Sequence, residues 1–115
     1  MLEITTEKEG NFYIIKLKGD VDANASIHLD NAIRKAISGF QKNLLVDCSK
    51  LDYISSAGIG VFIAYLEDFQ KNAINLVLFG MKAQVKRLFE ILGLEKFIQI
   101  TDTKEHAKAI HHRKQ

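Results

Sequence analysis

Residues 52–62 read Asp-Tyr-Ile-Ser-Ser-Ala-Gly-Ile-Gly-Val-Phe, and this stretch decides how the chain is organised. It follows a short apolar run, residues 43–47, that is typical of a buried strand. It leads into residues 57–70, which have the length of a helix. Gly58 and Gly60 then fall at the start of that helix, where each glycine costs up to about 1 kcal/mol relative to alanine. Two such costs indicate a close backbone approach, either to a neighbouring element or to something that docks.

Ser55 and Ser56 stand where the helix needs an N-cap, and two interpretations are open. In the first, one hydroxyl caps the helix, stabilises it by about 1 kcal/mol and does nothing more. In the second, the helix N-terminus acts as an anion site, with free N–H groups and a positive dipole end. A phosphoryl group on such a serine would add a charge of about −1.5 to −2 to a small apolar surface without refolding the domain.

The segments before this stretch predict two strands and a helix. Residues 12–18 are rich in aromatic and β-branched side chains, residues 2–6 are their expected partner, and residues 9–11 have hairpin-turn chemistry. Residues 20–24 offer several capping oxygens before a helix. Apolar residues recur on one face of that helix, namely Leu29, Ile33, Ala36, Ile37 and Phe40. Gly39 is the expected C-terminal stop.

The segments after it predict a strand over 74–79, a helix over 81–93, a strand over 97–101 and a last helix opened by a capping box at 102–105. The helix over 81–93 carries one apolar stripe, which is expected to be core and consists of Val85, Leu88, Phe89 and Leu92. Gly93 followed by a leucine is typical of a C-cap. The order ββαβαβαβα predicts an α/β domain whose mixed, mostly parallel sheet is flanked by about four helices.

Composition and charge place the chain among ordinary single-domain proteins. Its 115 residues are 47% hydrophobic and 26% charged, with a net charge of +2, which is too small to indicate nucleic-acid binding. We expect a domain over residues 1–111 and a basic tail over 112–115. No secretory signal and no apolar run of spanning length is readable, and a single cysteine, Cys48, suits a reducing compartment. We therefore expect a cytoplasmic protein without membrane insertion.

The other chemistry-bearing residues favour neither a metal site nor an enzyme. Asp20 and Asp22 could bind a cation, but carboxylates on a turn before a helix are more often caps and solvated charges. Cys48 follows a buried strand and is expected in or near the core, and residues 111–114 have the character of a solvated terminus rather than a metal tract. The glycine pattern lacks the third glycine of a dinucleotide site, and no histidine is near Ser56 in sequence. We expect no cofactor, no metal and no catalytic activity.

The central stretch also resembles a known family. Residues 53–60 are similar to the phosphorylatable-serine signature of the STAS domain, specifically that of the bacterial anti-sigma factor antagonists. Residues 19–22 resemble the family's loop after the second strand, and residues 45–47 its strand before the motif. Residues 85–90 and 93–94 resemble its third helix. The resemblance covers nearly the whole chain and implies a single STAS-like domain.

The resemblance also implies a function. An unphosphorylated antagonist would bind an anti-sigma factor that is also a serine kinase and so free the sigma factor, without contacting nucleic acid itself. The kinase would phosphorylate Ser56, and a phosphatase of the metal-dependent serine type would reverse this. Ser55 replaces the aspartate usual in the family and is the second candidate acceptor. The implied partner-binding surface consists of Asp20, Asp22, Asn24, Ser55, Ser56, Ala57, Gly58 and Ile59.

Two alternatives remain open from the sequence. STAS-like domains also serve in stress-sensing complexes and as subunits of lipid or anion transport systems, where the serine would only cap its helix. A nucleotide-binding or hydrolytic α/β domain is an alternative of a different class.

Overall fold

The computed structural model describes residues 1–113, with side chains through residue 110. The strands are β1 (Leu2–Glu9), β2 (Phe12–Val21), β3 (Asn43–Ile54), β4 (Asn75–Phe79) and β5 (Gln99–Thr101). The helices are α1 (Ser26–Ser38), α2 (Ser56–Lys71), α3 (Ala83–Ile91) and α4 (Lys104–Arg113), with a 3₁₀ turn at Leu94–Lys96. The predicted element order, ββαβαβαβα, is confirmed.

The five strands form one sheet in the order β1-β2-β3-β4-β5. β1 and β2 are antiparallel and are joined by a tight turn in which Gly10 has a φ of 61°, a conformation that glycine adopts without strain. The other three pairs are parallel, and a helix connects each successive pair, as parallel pairing requires. The mixed, mostly parallel sheet expected from the sequence is therefore present.

The two faces of the sheet are covered unequally. The larger buried cluster joins one face to α1, α2 and α3, which contribute residues such as Leu29, Phe62 and Phe89. The smaller cluster joins the other face to α4, through Ala107 packed on Ile14 and its neighbours. The strand residues alternate between these clusters, as the period of two in a β-strand dictates.

β3 extends beyond its predicted end at residue 47 and reaches Ile54. The prediction ended too early because the burial pattern changes along the strand. From Leu44 to Cys48 every second residue faces the larger core, but the next two core residues, Leu51 and Ile54, follow at intervals of three. The pairing of β2 with β3 shifts register after Lys16 and again after Gly19 of β2. Such irregularities rotate the following side chains, so the alternation that identifies a strand is lost although the pairing continues.

Four large apolar side chains expected in the core or in a strand are exposed instead, and one of them, Leu88 of the α3 stripe, is 37% exposed. Phe40 is 81% exposed, because α1 ends at Ser38 and Phe40 itself adopts the left-handed conformation, with a φ of 58°. Leu92 is 54% exposed because α3 ends one residue earlier. Phe97, expected in β5, lies before the strand and is 71% exposed. The predicted C-cap is present, with Gly93 in the left-handed conformation at a φ of 71°.

α4 is anchored at its N-terminus and along its length. The hydroxyl of Thr103, rather than a carboxylate, caps the helix by accepting a hydrogen bond from the backbone N–H of His106 at 3.1 Å. The Glu9 carboxylate at the end of β1 accepts hydrogen bonds from Lys108 and Lys104 of α4. These two contacts, Lys108 first, lower the pKa of Glu9 below its ordinary value of 4.5. The helix is thus tied to the first hairpin by ion pairs as well as by packing.

Candidate functional site

The predicted motif forms a corner between a strand and a helix. β3 ends at Ile54, α2 begins at Ser56, and Ser55 alone connects them. Ser55 is extended, with φ −79° and ψ 167°, and its Oγ accepts a hydrogen bond from the backbone N–H of Gly58 at 3.1 Å. This is the geometry of an N-cap. Ser55 therefore performs the capping role that the sequence left open between the two serines.

Ser56 occupies the first helical position and is exposed. Among the described residues, no side chain or backbone group is hydrogen-bonded to its hydroxyl. The N–H groups of a first helical turn have no partners within the helix, and the dipole of the helix is positive there. An anionic group attached to Ser56 would consequently meet a favourable local field.

The loop after β2 lies directly against this corner. The backbone N–H of Ser55 donates to the carbonyl of Val21 at 2.8 Å, and Val21 is paired with Ile54 in the sheet. A Cβ on Gly58 would lie 2.7 Å from Cγ1 of both Val21 and Ile54, closer than carbon atoms can approach. Gly58 thus permits α2 to approach the ends of β2 and β3. This agrees with the prediction that a glycine here allows a close approach to a neighbouring element.

Gly60 has a different environment. A Cβ at this position would meet no atom within 4 Å outside its own helix, so no contact in the described structure requires a glycine there. Ser56, Gly60 and Ile63 follow one another at i, i+4 and i+7, which places them on one helix face. Ile63 is 46% exposed. This face of α2 therefore presents a bare stretch of backbone between the serine and an apolar side chain.

The acidic loop residues are placed next to the corner but engaged in different ways. Asp22 accepts a hydrogen bond from the N–H of Ala25 through Oδ1 at 2.7 Å and one from the N–H of Ser26 through its carbonyl at 3.0 Å. It therefore shapes the entry to α1, as the capping alternative predicts. Asp20 is partly exposed and Asn24 is exposed. Within residues 1–110, no three or more His, Cys, Asp or Glu side chains are placed to hold a metal ion.

The remaining members of the predicted surface differ in accessibility. Ala57 is exposed, whereas Ile59 is only 3% exposed and belongs to the larger core. Two exposed apolar side chains beside the corner are absent from the predicted surface. Tyr53 is 50% exposed and is paired with Asp20 in the sheet, and Ile27 in the first turn of α1 is 63% exposed. The sequence contains no local signal for Tyr53, because the alternation in this part of β3 is lost where it pairs irregularly with β2.

Other candidates from the sequence lie away from this corner. Cys48 is 1% exposed, as expected for a core residue, and its burial raises the pKa of the thiol far above the ordinary value. The side chains of residues 111–114 lie outside the described part of the chain. Among the described residues, no helix has both the length and the apolar character needed to cross a membrane.

Known proteins share this fold. The family model of the STAS domain matches residues 3–107. An anti-sigma-B factor antagonist of Staphylococcus aureus is 26% identical over 104 residues, covering 90% of this chain and 96% of its own. The crystal structure of an anti-sigma factor antagonist from Mycobacterium paratuberculosis superposes with a TM-score of 0.88 at 18% identity, covering 96% of this chain and 93% of that one. The Bacillus cell fate determinant SpoIIAA in its phosphorylated form gives 0.71 at 19% identity, covering 93% and 97%. At such identities the structural likeness is one of fold, and it agrees with the family match over nearly the whole sequence: this chain belongs to the STAS domain family.

Proposed function

We propose that the chain is an anti-sigma factor antagonist controlled by phosphorylation of Ser56. In its unphosphorylated form it binds an anti-sigma factor that is also a serine kinase, and the sigma factor is released. The observation that carries this proposal is the division of roles between the two serines: the Ser55 hydroxyl is used by the helix, while the Ser56 hydroxyl is exposed. The names of the relatives, including the Staphylococcus aureus protein, support the class of partner.

The choice of Ser56 rests on the cap geometry. A kinase acting on Ser55 would have to break the hydrogen bond from Gly58 N–H to Ser55 Oγ and so remove the cap, at a cost of about 1 kcal/mol. Modification of Ser56 breaks no hydrogen bond to a described residue. The family resemblance leads to the same choice, because the aspartate usual at position 55 is itself a good N-cap residue. In this proposal Ser55 caps the helix as that aspartate would, and Ser56 occupies the position of the serine that is phosphorylated in the family.

The partner-binding surface in this proposal is built from the exposed and half-buried groups around the corner. From the predicted set these are Asp20, Asp22, Asn24, Ser55, Ser56 and Ala57, and the structure adds Tyr53, Ile27, Gly60 and Ile63. Gly58 and Ile59 support this surface from beneath, because both are buried. Apolar side chains beside exposed carboxylates and a bare helix backbone form a mixed surface of the kind that specific protein partners bind.

Phosphorylation would switch this surface off without refolding the domain. A phosphate of charge about −1.5 to −2 on Ser56 would stand among apolar groups that the partner must cover. Burying that charge without an opposing charge carries a large desolvation cost, and a mismatched charge at an interface costs several kcal/mol. The α2 N-terminus tolerates the phosphate in the free protein, so the modified chain stays folded and loses affinity.

In this proposal the chain has no catalytic role and holds no cofactor. ATP and its metal belong to the partner kinase, and a metal-dependent serine phosphatase restores the unphosphorylated form. The protein acts in the cytoplasm, where its partners regulate transcription, and it does not contact nucleic acid itself.

The test is phosphorylation and binding with matched serine variants. The purified chain is incubated with ATP and the candidate kinase from its own genome, and intact mass is measured. We expect one added phosphate on the wild type and on Ser55→Ala, and none on Ser56→Ala. In a pull-down, Ser56→Asp should lose the kinase while keeping its circular dichroism spectrum. A phosphate that persists on Ser56→Ala would move the site elsewhere, and retained binding by a folded Ser56→Asp would refute the switch.

A further inference from the structure

A groove on the far side of α1 from α2 is not used by the proposed function. It lies between α1 and the inward face of the edge strand β1 and has a volume of about 500 Å³, within the range typical of small-molecule sites. Its floor is apolar and partly buried, and consists of Leu2, Ile4 and Ala32. α1 packs against α2 and β2 as well as against β1, and the inward-facing residues of β1 remain only partly covered.

The polar residues that line the groove have neutral or basic side chains, with no acid among them. His28, Asn31 and Lys35 contribute from α1, Thr6 from β1 and Tyr13 from β2. No Asp or Glu occurs among the described residues that line the groove. The glutamates of β1, such as Glu3 and Glu7, occupy alternate positions and therefore face the other side of the sheet.

The charged end and the apolar part of the groove can be placed from the topology. α1 connects two parallel strands and so runs opposite to β2, which puts Lys35 near the beginning of β2 at Tyr13 and His28 near Leu2. Lys8, the sheet partner of Tyr13, lies beside this end, where its ammonium group donates a hydrogen bond to Gln41. His28 and Lys35 lie about 10 Å apart along the helix axis. The groove therefore has a positive end and an apolar floor that extends away from it.

From this arrangement we infer that the groove binds a small amphipathic anion, with a carboxylate or phosphate at Lys35 and Tyr13 and an aliphatic chain along Ile4 and Ala32. Charge-assisted hydrogen bonds from the lysine fix the head group, and burial of the chain supplies the apolar part of the affinity. The occupant is a free molecule rather than a membrane surface, because the apolar floor lies inside a concave groove rather than on a protruding face. The inference does not depend on Ser56.

The test is a titration followed by two-dimensional NMR, with octanoate and octyl phosphate as probes. We expect octanoate to bind with a dissociation constant of about 1 mM or below and to shift the amide signals of β1 and of the groove face of α1. Octanol, which lacks the charge, and acetate, which lacks the chain, should each bind at least about tenfold more weakly. A preference for octyl phosphate over octanoate would identify the head group as a phosphate.

Three variants locate the site. Lys35→Gln should weaken octanoate about tenfold, and Thr6→Trp, at an exposed position that lines the groove, should block it. Lys18→Gln is the matched control, since Lys18 is an exposed lysine on the opposite face of the sheet, and it should bind as the wild type does. Unchanged binding by Lys35→Gln, equal binding of octanol, or binding to phosphatidylglycerol vesicles without binding to free octanoate would overturn the inference.

Discussion

Replacing the two glycines of α2 by alanine, one at a time, should change stability in opposite directions. In Gly58→Ala the new Cβ would lie 2.7 Å from Cγ1 of Val21 and of Ile54, which are 0% and 1% exposed. Both neighbours are β-branched and hence stiff at χ1, so they cannot move aside without backbone shifts. Overpacking of this kind destabilises a protein by about 1–3 kcal/mol, while the higher helix propensity of alanine stabilises it by up to about 1 kcal/mol. We expect a net loss of about 1 kcal/mol.

Gly60→Ala is the matched variant, two residues along the same helix. Its Cβ would meet nothing within 4 Å, so the propensity gain of up to about 1 kcal/mol remains unopposed. The two variants should therefore differ by about 2 kcal/mol in free energy of unfolding, or by about 6–10 °C in Tm. In binding, however, Gly60→Ala should weaken the proposed complex with an anti-sigma factor, because its methyl group projects from the proposed interface.

The assay is urea denaturation followed by circular dichroism, with binding measured on the same preparations. A Gly58→Ala variant as stable as the wild type would refute the packing argument for that glycine. If the Gly60→Ala variant binds the anti-sigma factor with full affinity, Gly60 is not part of the interface. The free-energy cost of a glycine at this helix position would then have no functional reason.

Three further predictions concern the helix cap, the buried thiol and an ion pair. Ser55→Ala should lose about 1 kcal/mol because the N-cap is removed, whereas Ser56→Ala should stay within about 0.5 kcal/mol of the wild type; equal losses would contradict the assignment of the cap. Since burial raises the pKa of the Cys48 thiol, an aromatic disulfide reagent at mildly alkaline pH should react in urea but not with the folded protein, and rapid labelling of the native chain would contradict its burial. Because Lys108 lowers the folded pKa of Glu9 below 4.5, the contribution of this ion pair is complete above the unfolded pKa and is lost as the pH falls through the folded value. Glu9→Gln should therefore lose less stability than the wild type between neutral and acidic pH, by a small amount since the pair is partly exposed; parallel pH profiles would contradict this.

The element order was predictable because each helix and strand has a local signal of its own. The end of β3 was not, since the irregular pairing with β2 places Leu51 and Ile54 in the core at intervals of three, which do not match the period of two in a strand. Leu92 shows that the end of a helix is also difficult to predict. It continues the apolar stripe of α3 in sequence, yet the helix stops before it, and where a helix stops depends on the turn that follows as much as on the stripe.

At the candidate site, the sequence identified the segment but not the roles within it. Both serines are acceptable N-caps, and only the hydrogen bond from Gly58 to Ser55 separates them. Gly58 and Gly60 look equivalent in sequence, but only the first one faces Val21 across a gap too small for a methyl group. The exposure of Tyr53 likewise depends on how β2 and β3 pair around it, which no local pattern contains.

The single-residue connection between β3 and α2 has a consequence for any enzyme that modifies Ser56. With Ile54 paired in the sheet and Ser55 bonded to both Val21 and Gly58, the segment cannot be drawn out as an extended peptide while the domain is intact. A kinase must recognise the assembled corner and not a linear motif. A synthetic peptide spanning residues 52–62 would then be a poor substrate. Chains that have not finished folding would not be phosphorylated, so all phosphorylated molecules would be natively folded ones.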